Sequence, residues 1–454
     1  MARFSLKRPP EWGVEPVPPE KRTLRAFDLF ALWASLGVGL LVLAAGDWLV
    51  NGFGLNLGEV IVVSVVGSVA GGLMLAAAAR AGVRHGVPTM VSLRPVVGRR
   101  GSFIPSALNA GQLLGWATFE IFIMALAAAY LTGNPFGPSS TVVFIPVFGA
   151  IALVLALAGP MAVVRTWLRT FAVWGVLATT FYLAYVLSTR GLSMDARPGA
   201  FPYQGSVSLM AAIDLVIVMP VSWWPLVSDY NRFAKNSRAS WVGTVGGNAL
   251  GNAAFFALGG ALVAFGYAGL AGAGTSPGYV DFLWGLSLLG LGGLPLFLIL
   301  VDETDNAFAN LYSTAVSIQN LRPRLRQAKL VVVSTALASA GALALAATGQ
   351  TIGGDYEHFL FVIGGIFVPL LGVVIADAWV VRRAGYGPAE FEGGAPPFRW
   401  GAFLAWAPGT ALYLALYLQW LPGVPPIGAT LPSFALAAAL HIALSRLQKA
   451  ESRA

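Results

Sequence analysis

The sequence contains no cysteine, only three histidines and few charged side chains. The lack of cysteine excludes disulfides and thiolate metal sites, and His85, His358 and His441 do not cluster as a histidine metal site would. No G-x-x-x-x-G-K-[ST] run is present, so nothing indicates an ATP-driven pump. Charged residues make up 11% of the chain, whereas soluble domains usually carry about 25%. With 57% hydrophobic residues and a mean hydropathy of +0.73, most of the outer surface must face lipid.

Long apolar runs predict an all-α integral membrane protein with about twelve spans, since a helix needs roughly 20 mostly apolar residues to cross the hydrocarbon core. Residues 1–26 are polar and basic, and the first apolar run is too long for a signal peptide. The predicted spans, numbered 1 to 12, are 27–50, 57–80, 103–131, 141–160, 168–189, 206–230, 241–270, 283–317, 328–348, 358–381, 400–420 and 428–446.

The basic residues alternate with these spans and predict the orientation. With the N-terminus inside, all of the 28 Lys and Arg residues except Arg190 and Arg197 fall on the cytoplasmic side. We therefore expect a multi-pass protein of the plasma (inner) membrane with both termini in the cytoplasm. The net charge of +8 is accounted for by these topology-setting loops, and no nucleic-acid partner is expected.

Two spans carry helix-breaking residues near their middles. Span 1 contains Gly37 and Gly39, and span 6 contains Pro220 and Pro225. The two prolines predict that span 6 unwinds or kinks sharply, because proline removes a backbone donor and clashes with the preceding turn. Interrupted helices of transporters often bind substrate and ions. Close helix packing is the alternative reading of the two glycines.

Span 3 places polar groups and a tryptophan on one helix face, because they recur at steps of three and four residues. Trp116 offers a plane for a flat heterocycle, and Glu120 offers an acceptor for a ring edge rich in N–H donors. A glutamate paired with a neighbouring helix is the alternative. The face consists of Asn109, Gln112, Trp116 and Glu120.

Span 8 carries three acids within four residues, namely Asp302, Glu303 and Asp305. Such a group must line a wet cavity, hold a cation or be protonated. Oxygen atoms of Thr304 and Asp305, completed by span 1 carbonyls, would suit Na⁺, and the same acids would also suit H⁺. At the cytoplasmic end of span 6, Asp229 and Arg232 are predicted to form a gating or anchoring salt bridge.

Several motifs resemble the nucleobase:cation symporter family of the purine/cytosine permease type, and the resemblance covers most of the chain. They are Pro16 to Leu29, His85 to Met90 with Arg94 and Gly98 to Gly101, Asn109 to Trp116, Ser228 to Phe233, and Asn310 to Ser313. The resemblance implies a 5+5 inverted-repeat transporter core with two peripheral helices. The expected divisions are a cytoplasmic segment 1–26, a core 27–381 with repeats 27–189 and 206–381, a cytoplasmic loop 382–399, peripheral spans 400–446 and a tail 447–454.

The resemblance also implies a site formed by spans 1, 3, 6 and 8. The expected substrate-binding residues are Gly37, Gly39, Gln112, Trp116, Glu120, Ser222, Trp223, Asn306 and Asn310. The expected Na⁺ ligands are Gly37, Leu40, Val301, Thr304 and Asp305. Two residues depart from the family pattern, since Glu120 stands where an amide is common and Asp305 where a hydroxyl is familiar. The first departure argues for a substrate edge with several N–H donors and against assuming uracil or hydantoin, and the second leaves H⁺ coupling open.

These observations predict a symporter that imports a nucleobase such as cytosine or a purine by alternating access, with a Na⁺ or H⁺ gradient and no other cofactor. A thiamine-precursor pyrimidine or a hydantoin- or allantoin-type ring is the alternative substrate. The sequence carries no catalytic triad or histidine cluster that would indicate an intramembrane enzyme, and no pore motif that would indicate a channel. The expected partners are a small heterocycle and the lipid bilayer, and the sequence does not determine the oligomeric state.

Overall fold

The computed structural model describes residues 12–189, 193–195, 197, 203–270, 293–348 and 352–451. Within these ranges the chain is almost entirely helical and has no strand, apart from an isolated bridge between Leu24 and Ala234. The long helices and the two halves of each interrupted span are α1 Ala26–Leu36, α2 Leu40–Asp47, α3 Leu57–Ala78, α4 Phe103–Leu131, α5 Ser140–Ala158, α6 Val173–Ser188, α7 Ser206–Ser222, α8 Val227–Asn231, α9 Ser237–Leu270, α10 Leu294–Leu321, α11 Gln327–Thr348, α12 Ile352–Ala376, α13 Trp400–Tyr417 and α14 Thr430–Glu451.

Among the described residues, eight helices are long and apolar enough to cross a membrane, or nine when the bent pair α1 and α2 counts as one span. A helix lies at each of the twelve predicted positions, with α6 as a shorter apolar helix. The first residues of predicted span 8, 283–292, lie outside the described residues, and α14 continues to Glu451, beyond the predicted end at 446. The protein is thus a multi-pass membrane protein that is almost entirely helical in the part the structure describes.

Span 1 is interrupted in its middle. α1 ends at Leu36 and α2 begins at Leu40, and their axes differ in direction by 54°. Gly39 lies in extended, non-helical backbone with φ 165° and ψ 164°, and the helix resumes at the next residue, Leu40. The break predicted from the two glycines is present, and it leaves backbone groups of residues 37–39 outside a regular helix.

Span 6 is interrupted more gently than its prolines predicted. α7 ends at Ser222, a 3₁₀ turn covers Trp224–Leu226, and α8 follows directly. Of the two outcomes that the prolines predicted, local unwinding is present and a sharp kink is not, because this span is not among the described ones bent by more than 40°. Pro220 is accommodated inside α7, and Pro225 lies in the 3₁₀ turn, where its missing N–H costs little.

Helix α9 packs against both halves of span 1 through glycines. A Cβ atom at Gly247 or Gly251 would come within 2.3 Å of a carbonyl oxygen of α1, and at Gly259 within 2.1 Å of the Leu43 carbonyl of α2. Only glycine allows helix backbones to approach so closely. The interrupted span is therefore held against α9 along its whole length.

The elements that carry the predicted site residues meet in the interior. α4 packs along α10, and α10 also contacts α1 and α2 at the break. The polar face of α10 is buried by these neighbours, and Asp302, Glu303 and Asp305 are each at most 1% exposed. This arrangement explains why a helix with three acids in its middle is stable: none of the three faces lipid.

The last two helices are fixed to the core at both ends. At one end, the Asp214 carboxylate of α7 accepts from the backbone N–H groups of Ala429, Thr430 and Leu431, where α14 begins. At the other, His441 of α14 pairs with Asp377 just after α12, with 2.8 Å between Nε2 and Oδ1. The loop before α13 also pairs with the chain before α4, since Arg99 N–H donates to the Pro396 carbonyl at 2.8 Å.

Candidate functional site

Two tryptophans face each other across the interior. Trp116 lies in the middle of α4, and Trp223 lies directly after α7, at the interruption of span 6. Their ring centroids are 6.5 Å apart and their planes differ by 18°. A flat ring in contact with both planes needs about 7 Å, since carbon atoms pack best at about 3.5–4.0 Å. Both side chains are buried, and the pair, called the slot below, presents two nearly parallel aromatic planes to the interior.

Three further aromatic rings surround Trp116. Tyr356 and Phe359 of α12 meet its edge at centroid distances of 5.8 and 5.5 Å, both with planes at 75°. Phe119, almost one turn further along α4, contacts the same two rings. The sequence reasoning missed these residues. Their spacing at i and i+3 was a usable signal, but Tyr356 lies before the predicted start of span 10 at 358.

A glutamate and an asparagine meet beside this slot. Asn310 of α10 donates from Nδ2 to both carboxylate oxygens of Glu120 at 2.9 and 3.0 Å, and both residues are at most 2% exposed. The predicted neighbours are therefore in direct contact. The contact also fixes the asparagine orientation, because its amide nitrogen must face the carboxylate. Its Oδ1 is left without a donor.

Two more amide oxygens near these residues lack donors. Gln112 donates to Asn109 Oδ1 at 2.7 Å, and Asn306 donates to the Val38 carbonyl at 3.0 Å. The Oε1 atom of Gln112 and the Oδ1 atom of Asn306 are buried and unpaired, as is Oδ1 of Asn310. Buried acceptors without donors are costly, so a ligand that brings N–H groups would stabilise this region. Ser222, in contrast, already donates to the Met219 carbonyl of its own helix at 2.7 Å.

The break in span 1 contacts α10 directly. Oε2 of Glu303 accepts from the Leu40 N–H, the first residue of α2, at 2.7 Å. A Cβ atom on Gly39 would lie 2.7 Å from the same oxygen, which explains the requirement for glycine. The carboxylate thus caps a half-helix N-terminus, where a negative charge is favoured. The sequence predicted Leu40 as an ion ligand and placed Glu303 only in the group of acids that lines a wet cavity, holds a cation or is protonated.

The predicted ion ligands are only partly assembled. Thr304 Oγ1 donates to the Val301 carbonyl at 2.8 Å. Gly37 lies against α9, where a Cβ would be 3.0 Å from the Asn248 carbonyl, as expected from the close-packing alternative. Asp305 is fully buried, and neither of its carboxylate oxygens has a hydrogen-bond partner. Two unpaired carboxylate oxygens fit a cation ligand, although no group of three His, Cys, Asp or Glu among the described residues is arranged for a metal ion.

A polar network closes the interior toward the basic loops. Asn231 accepts from Trp33 Nε1 at 2.8 Å, and Tyr230 donates to the Ala309 carbonyl at 3.0 Å. The predicted salt bridge between Asp229 and Arg232 is wrong. The Arg232 guanidinium instead donates to the Trp12 and Gly13 carbonyls and to the Tyr312 hydroxyl, while Asp229 accepts from the Thr89 N–H. Backbone carbonyls, which sequence reasoning had not considered as partners, satisfy the buried cation.

Comparison with known protein families gives a match over nearly the whole chain. Residues 16–431 match the family described as permeases for cytosine/purines, uracil, thiamine and allantoin. The hydantoin permease of Microbacterium maritypicum is 25% identical over 80% of this chain and 74% of that protein. The cytosine permease of Escherichia coli K12 is 25% identical over 87% of this chain and 86% of that protein.

Solved structures show the same fold. The structure of Mhp1, a nucleobase-cation-symport-1 family transporter in a closed conformation with bromovinylhydantoin bound, superposes with a TM-score of 0.71 at 23% identity. The superposition covers 96% of this chain and 95% of that one. The 5+5 inverted-repeat transporter fold expected from the sequence is therefore confirmed.

Proposed function

We propose, from the premise that this chain belongs to the family of permeases for cytosine/purines, uracil, thiamine and allantoin, that it imports a nucleobase such as cytosine or a purine together with Na⁺ or H⁺. The family is one of permeases rather than enzymes. The observation that carries the proposal is the stacked pair Trp116 and Trp223 beside the Glu120 carboxylate. A flat base with an N–H edge matches both features.

The site would bind the base face-on between the two tryptophans. Gln112, Glu120, Asn306 and Asn310 supply acceptor oxygens on one side of the slot, and the three amide oxygens among them lack donors. A cytosine or aminopurine edge offers several N–H groups, whereas uracil and hydantoin present more carbonyl oxygens. Repulsion between carbonyl oxygens and a carboxylate favours the former class. Thiamine-precursor pyrimidines, which also carry an amino group, are the alternative substrates; a hydantoin- or allantoin-type ring is the less favoured one.

The coupling cation would bind where span 1 is broken and α10 passes. The unpaired oxygens of Asp305 support this placement, together with Thr304, the Val301 and Leu40 carbonyls and the carbonyl of Gly37. Gly39 would serve the substrate side of the same break. Binding of the cation would neutralise a buried charge and thereby favour one arrangement of α1 and α2 against α10. In the proposed topology, the substrate enters from outside and both termini lie in the cytoplasm of the plasma membrane.

Uptake into proteoliposomes tests the function. Radiolabelled cytosine, adenine, guanine, uracil and allantoin would be offered with an inward Na⁺ gradient at equal pH, and separately with an inward H⁺ gradient without Na⁺. We expect accumulation of an amino-bearing base above its external concentration with one of the two gradients, abolished when that gradient is collapsed. Conversion of a base without accumulation, or passage that ignores both gradients, would contradict a symporter.

Replacing Trp116 tests the site. Stacking of a base on an aromatic side chain contributes about 1–3 kcal/mol, so Trp116→Ala should weaken substrate binding about 5- to 150-fold, and Trp116→Phe should weaken it less. Trp420→Ala is the matched control, because Trp420 is 66% exposed and far along the chain in the loop after α13. Unchanged affinity in Trp116→Ala would show that the base binds elsewhere.

A further inference from the structure

A shallow basic cleft lies where α1 and α9 begin. Its volume is about 390 Å³, and it is lined by residues of two segments, Arg25, Ala26, Lys235, Asn236, Arg238, Ala239 and Val242. Three of these side chains are basic and none is acidic. In the part of the chain that the structure describes, none of the three takes part in an ion pair. The cleft therefore carries three positive charges without a direct ion pair; the Asp28 carboxylate of α1 lies nearby and accepts from the Arg25 N–H at 2.8 Å.

The two segments are held together by backbone hydrogen bonds. Leu24 N–H donates to the Phe233 carbonyl at 2.9 Å, and Lys235 N–H donates to the Leu24 carbonyl at 2.8 Å. Asn236 accepts from the Ala239 N–H and fixes the first turn of α9. The three basic residues are thus attached to a rigid backbone junction rather than to separate mobile loops, which lowers the entropy lost when they bind one ligand.

An apolar groove continues from the cleft along the outside of the helices. On α9, the exposed positions recur every four residues at Arg238, Val242, Gly246 and Leu250, and Val242 and Leu250 are each 52% exposed. On α1, Phe27 is 46% exposed and stacks on Phe30 at 6.2 Å. A Cβ atom on Gly246 would lie 3.5 Å from the Phe30 ring, so the glycine keeps the groove open beside that ring.

The cleft and the groove together form one surface that is basic at one end and apolar along the rest. Positive charge lies at the end of the helices, and a continuous apolar stripe runs from it into the membrane-spanning part. A soluble phosphate compound would use only the charged half. An anionic phospholipid uses both, because its phosphate meets the basic residues while an acyl chain lies along the stripe. Basic pockets between membrane helices are known binding sites for such headgroups.

We propose that the α1–α9 cleft binds the phosphate headgroup of an anionic phospholipid, with an acyl chain lying along Phe27, Phe30, Val242, Gly246 and Leu250. The lipid bridges α9 and the first half of the interrupted span. Its binding is therefore expected to stabilise the packing of α1 on α9, independently of any transported substrate.

Thermal unfolding of the purified, delipidated protein in a nonionic detergent tests the proposal without a transport assay. Dihexanoylphosphatidylglycerol, dihexanoylphosphatidylcholine and inorganic phosphate would be titrated separately. A ligand that binds only the folded state raises the unfolding temperature in a saturable way. We expect saturable stabilisation by the phosphatidylglycerol alone. Equal stabilisation by phosphatidylcholine would show that charge is irrelevant, and equal stabilisation by inorganic phosphate would identify a free-phosphate site, and either result would overturn the proposal.

A triple variant, Arg25→Gln with Lys235→Gln and Arg238→Gln, removes the charges of the cleft. Each basic residue contributes about fivefold to the binding of an anionic lipid, so the apparent affinity should fall by about 100-fold. The matched control replaces the exposed Arg322, Arg324 and Arg326 by Gln, which removes the same charge from another cytoplasmic loop. An equal loss of affinity in the control would show that only the net charge of the protein matters, and it would contradict a defined binding site.

Gly246→Leu tests the groove with all charges retained. The Cβ position of Gly246 has no neighbour closer than 3.5 Å, so this variant should fold while its side chain fills the groove. We expect weaker binding of phosphatidylglycerol, at least fivefold, with no change in the response to inorganic phosphate. Unchanged phosphatidylglycerol affinity would contradict the acyl-chain half of the proposal. Because this variant keeps the basic residues, it also decides the matter if the triple variant fails to fold.

Discussion

Asp377, just after α12, shares its carboxylate with three partners, whereas the Asp305 carboxylate, in the middle of α10, makes no well-formed hydrogen bond and has the Ser35 hydroxyl and the Asn306 N–H near it. Oδ2 of Asp377 accepts from Arg382 Nε at 2.9 Å and from Tyr386 at 2.8 Å and lies 2.8 Å from Arg382 Nη2, while Oδ1 faces His441 at 2.8 Å. Neither oxygen of Asp305 has a hydrogen-bond partner, and the residue is fully buried. Both are buried acids of a membrane protein, but only one is built into a fixed network.

The difference separates structural acids from acids kept for mobile ligands. A buried carboxylate is stable only when a cation or several donors compensate its lost hydration. At Asp377 and Asp214 the protein supplies them permanently. Around Glu120 and Asp305 it supplies few or none, so a substrate, an ion or a proton must do so during the cycle. Substitution of the first kind should therefore damage the fold, and substitution of the second kind should damage transport.

The largest effect is expected for Asp377→Asn. Breaking a buried pair by removing one partner typically costs about 3–5 kcal/mol. Here it would remove the negative charge between Arg382 and His441, although Arg382 would keep its ion pair with Glu390. We expect a clear loss of folded protein and a lower unfolding temperature in detergent. Glu392→Gln, an exposed acid of the same loop, serves as the control. Normal stability of Asp377→Asn would show that the Asp377 network does not stabilise the fold.

Glu120→Gln should change substrate preference without a comparable loss of stability. The glutamine keeps an acceptor for Asn310 but loses the charge, and an unmade hydrogen bond of a buried group costs about 1–3 kcal/mol. Uptake of cytosine or a purine should fall about 5- to 150-fold relative to uracil. Competition between labelled cytosine and unlabelled bases measures this ratio. An unaltered ranking of bases, or a stability loss like that of Asp377→Asn, would contradict the distinction between structural acids and acids kept for ligands.

A smaller stability effect is expected for Asp214→Ala. The Asp214 carboxylate accepts from three backbone N–H groups at the start of α14, and loss of such a cap costs about 0.5–2 kcal/mol. The unfolding temperature should fall by less than in Asp377→Asn. Asp195→Asn, in an exposed turn, is the control. A destabilisation as large as that of Asp377→Asn would mean that helix caps and ion pairs matter equally here.

The smallest effect is expected for Arg197→Gln. Arg197 forms a two-pronged pair with Glu59 at 2.7 and 2.9 Å and lies over the Tyr203 ring, but its side chain is 35% exposed. Exposed ion pairs contribute at most about 1 kcal/mol and are screened by salt. Unfolding temperatures of wild type and variant should converge as NaCl is raised. A large, salt-independent loss would show that this pair resembles Asp377 instead.

Much of the fold was predictable because the membrane imposes simple rules on a sequence. Apolar length and basic loops predicted the helices, and Gly37, Gly39 and the span 6 prolines predicted where helices are interrupted. The face with Trp116 and Glu120 followed from helical spacing, and the role of Asn310 followed from the family resemblance. The other features depend on local periodicity, which one sequence contains in full.

Partners from distant segments were not predictable. Nothing near Asp214 indicates that its carboxylate meets the backbone of Ala429 to Leu431, and nothing near Glu303 indicates the N–H group of Leu40. Arg232 was assigned to the nearest acid, yet it binds backbone carbonyls of the N-terminal segment. Every residue has backbone donors and acceptors, so sequence identity does not mark which of them become partners. Tertiary packing makes that choice.

The glycines of α9 have a mechanical consequence. Because backbone meets backbone at Gly247, Gly251 and Gly259, a change of side-chain rotamer cannot absorb a displacement of α9 at these three positions. A tilt of α9 is then expected to move α1 and α2 with it. The break at Gly39 is the point at which the angle between α1 and α2 can change. Glu303 accepts from the first N–H of α2 at that same point.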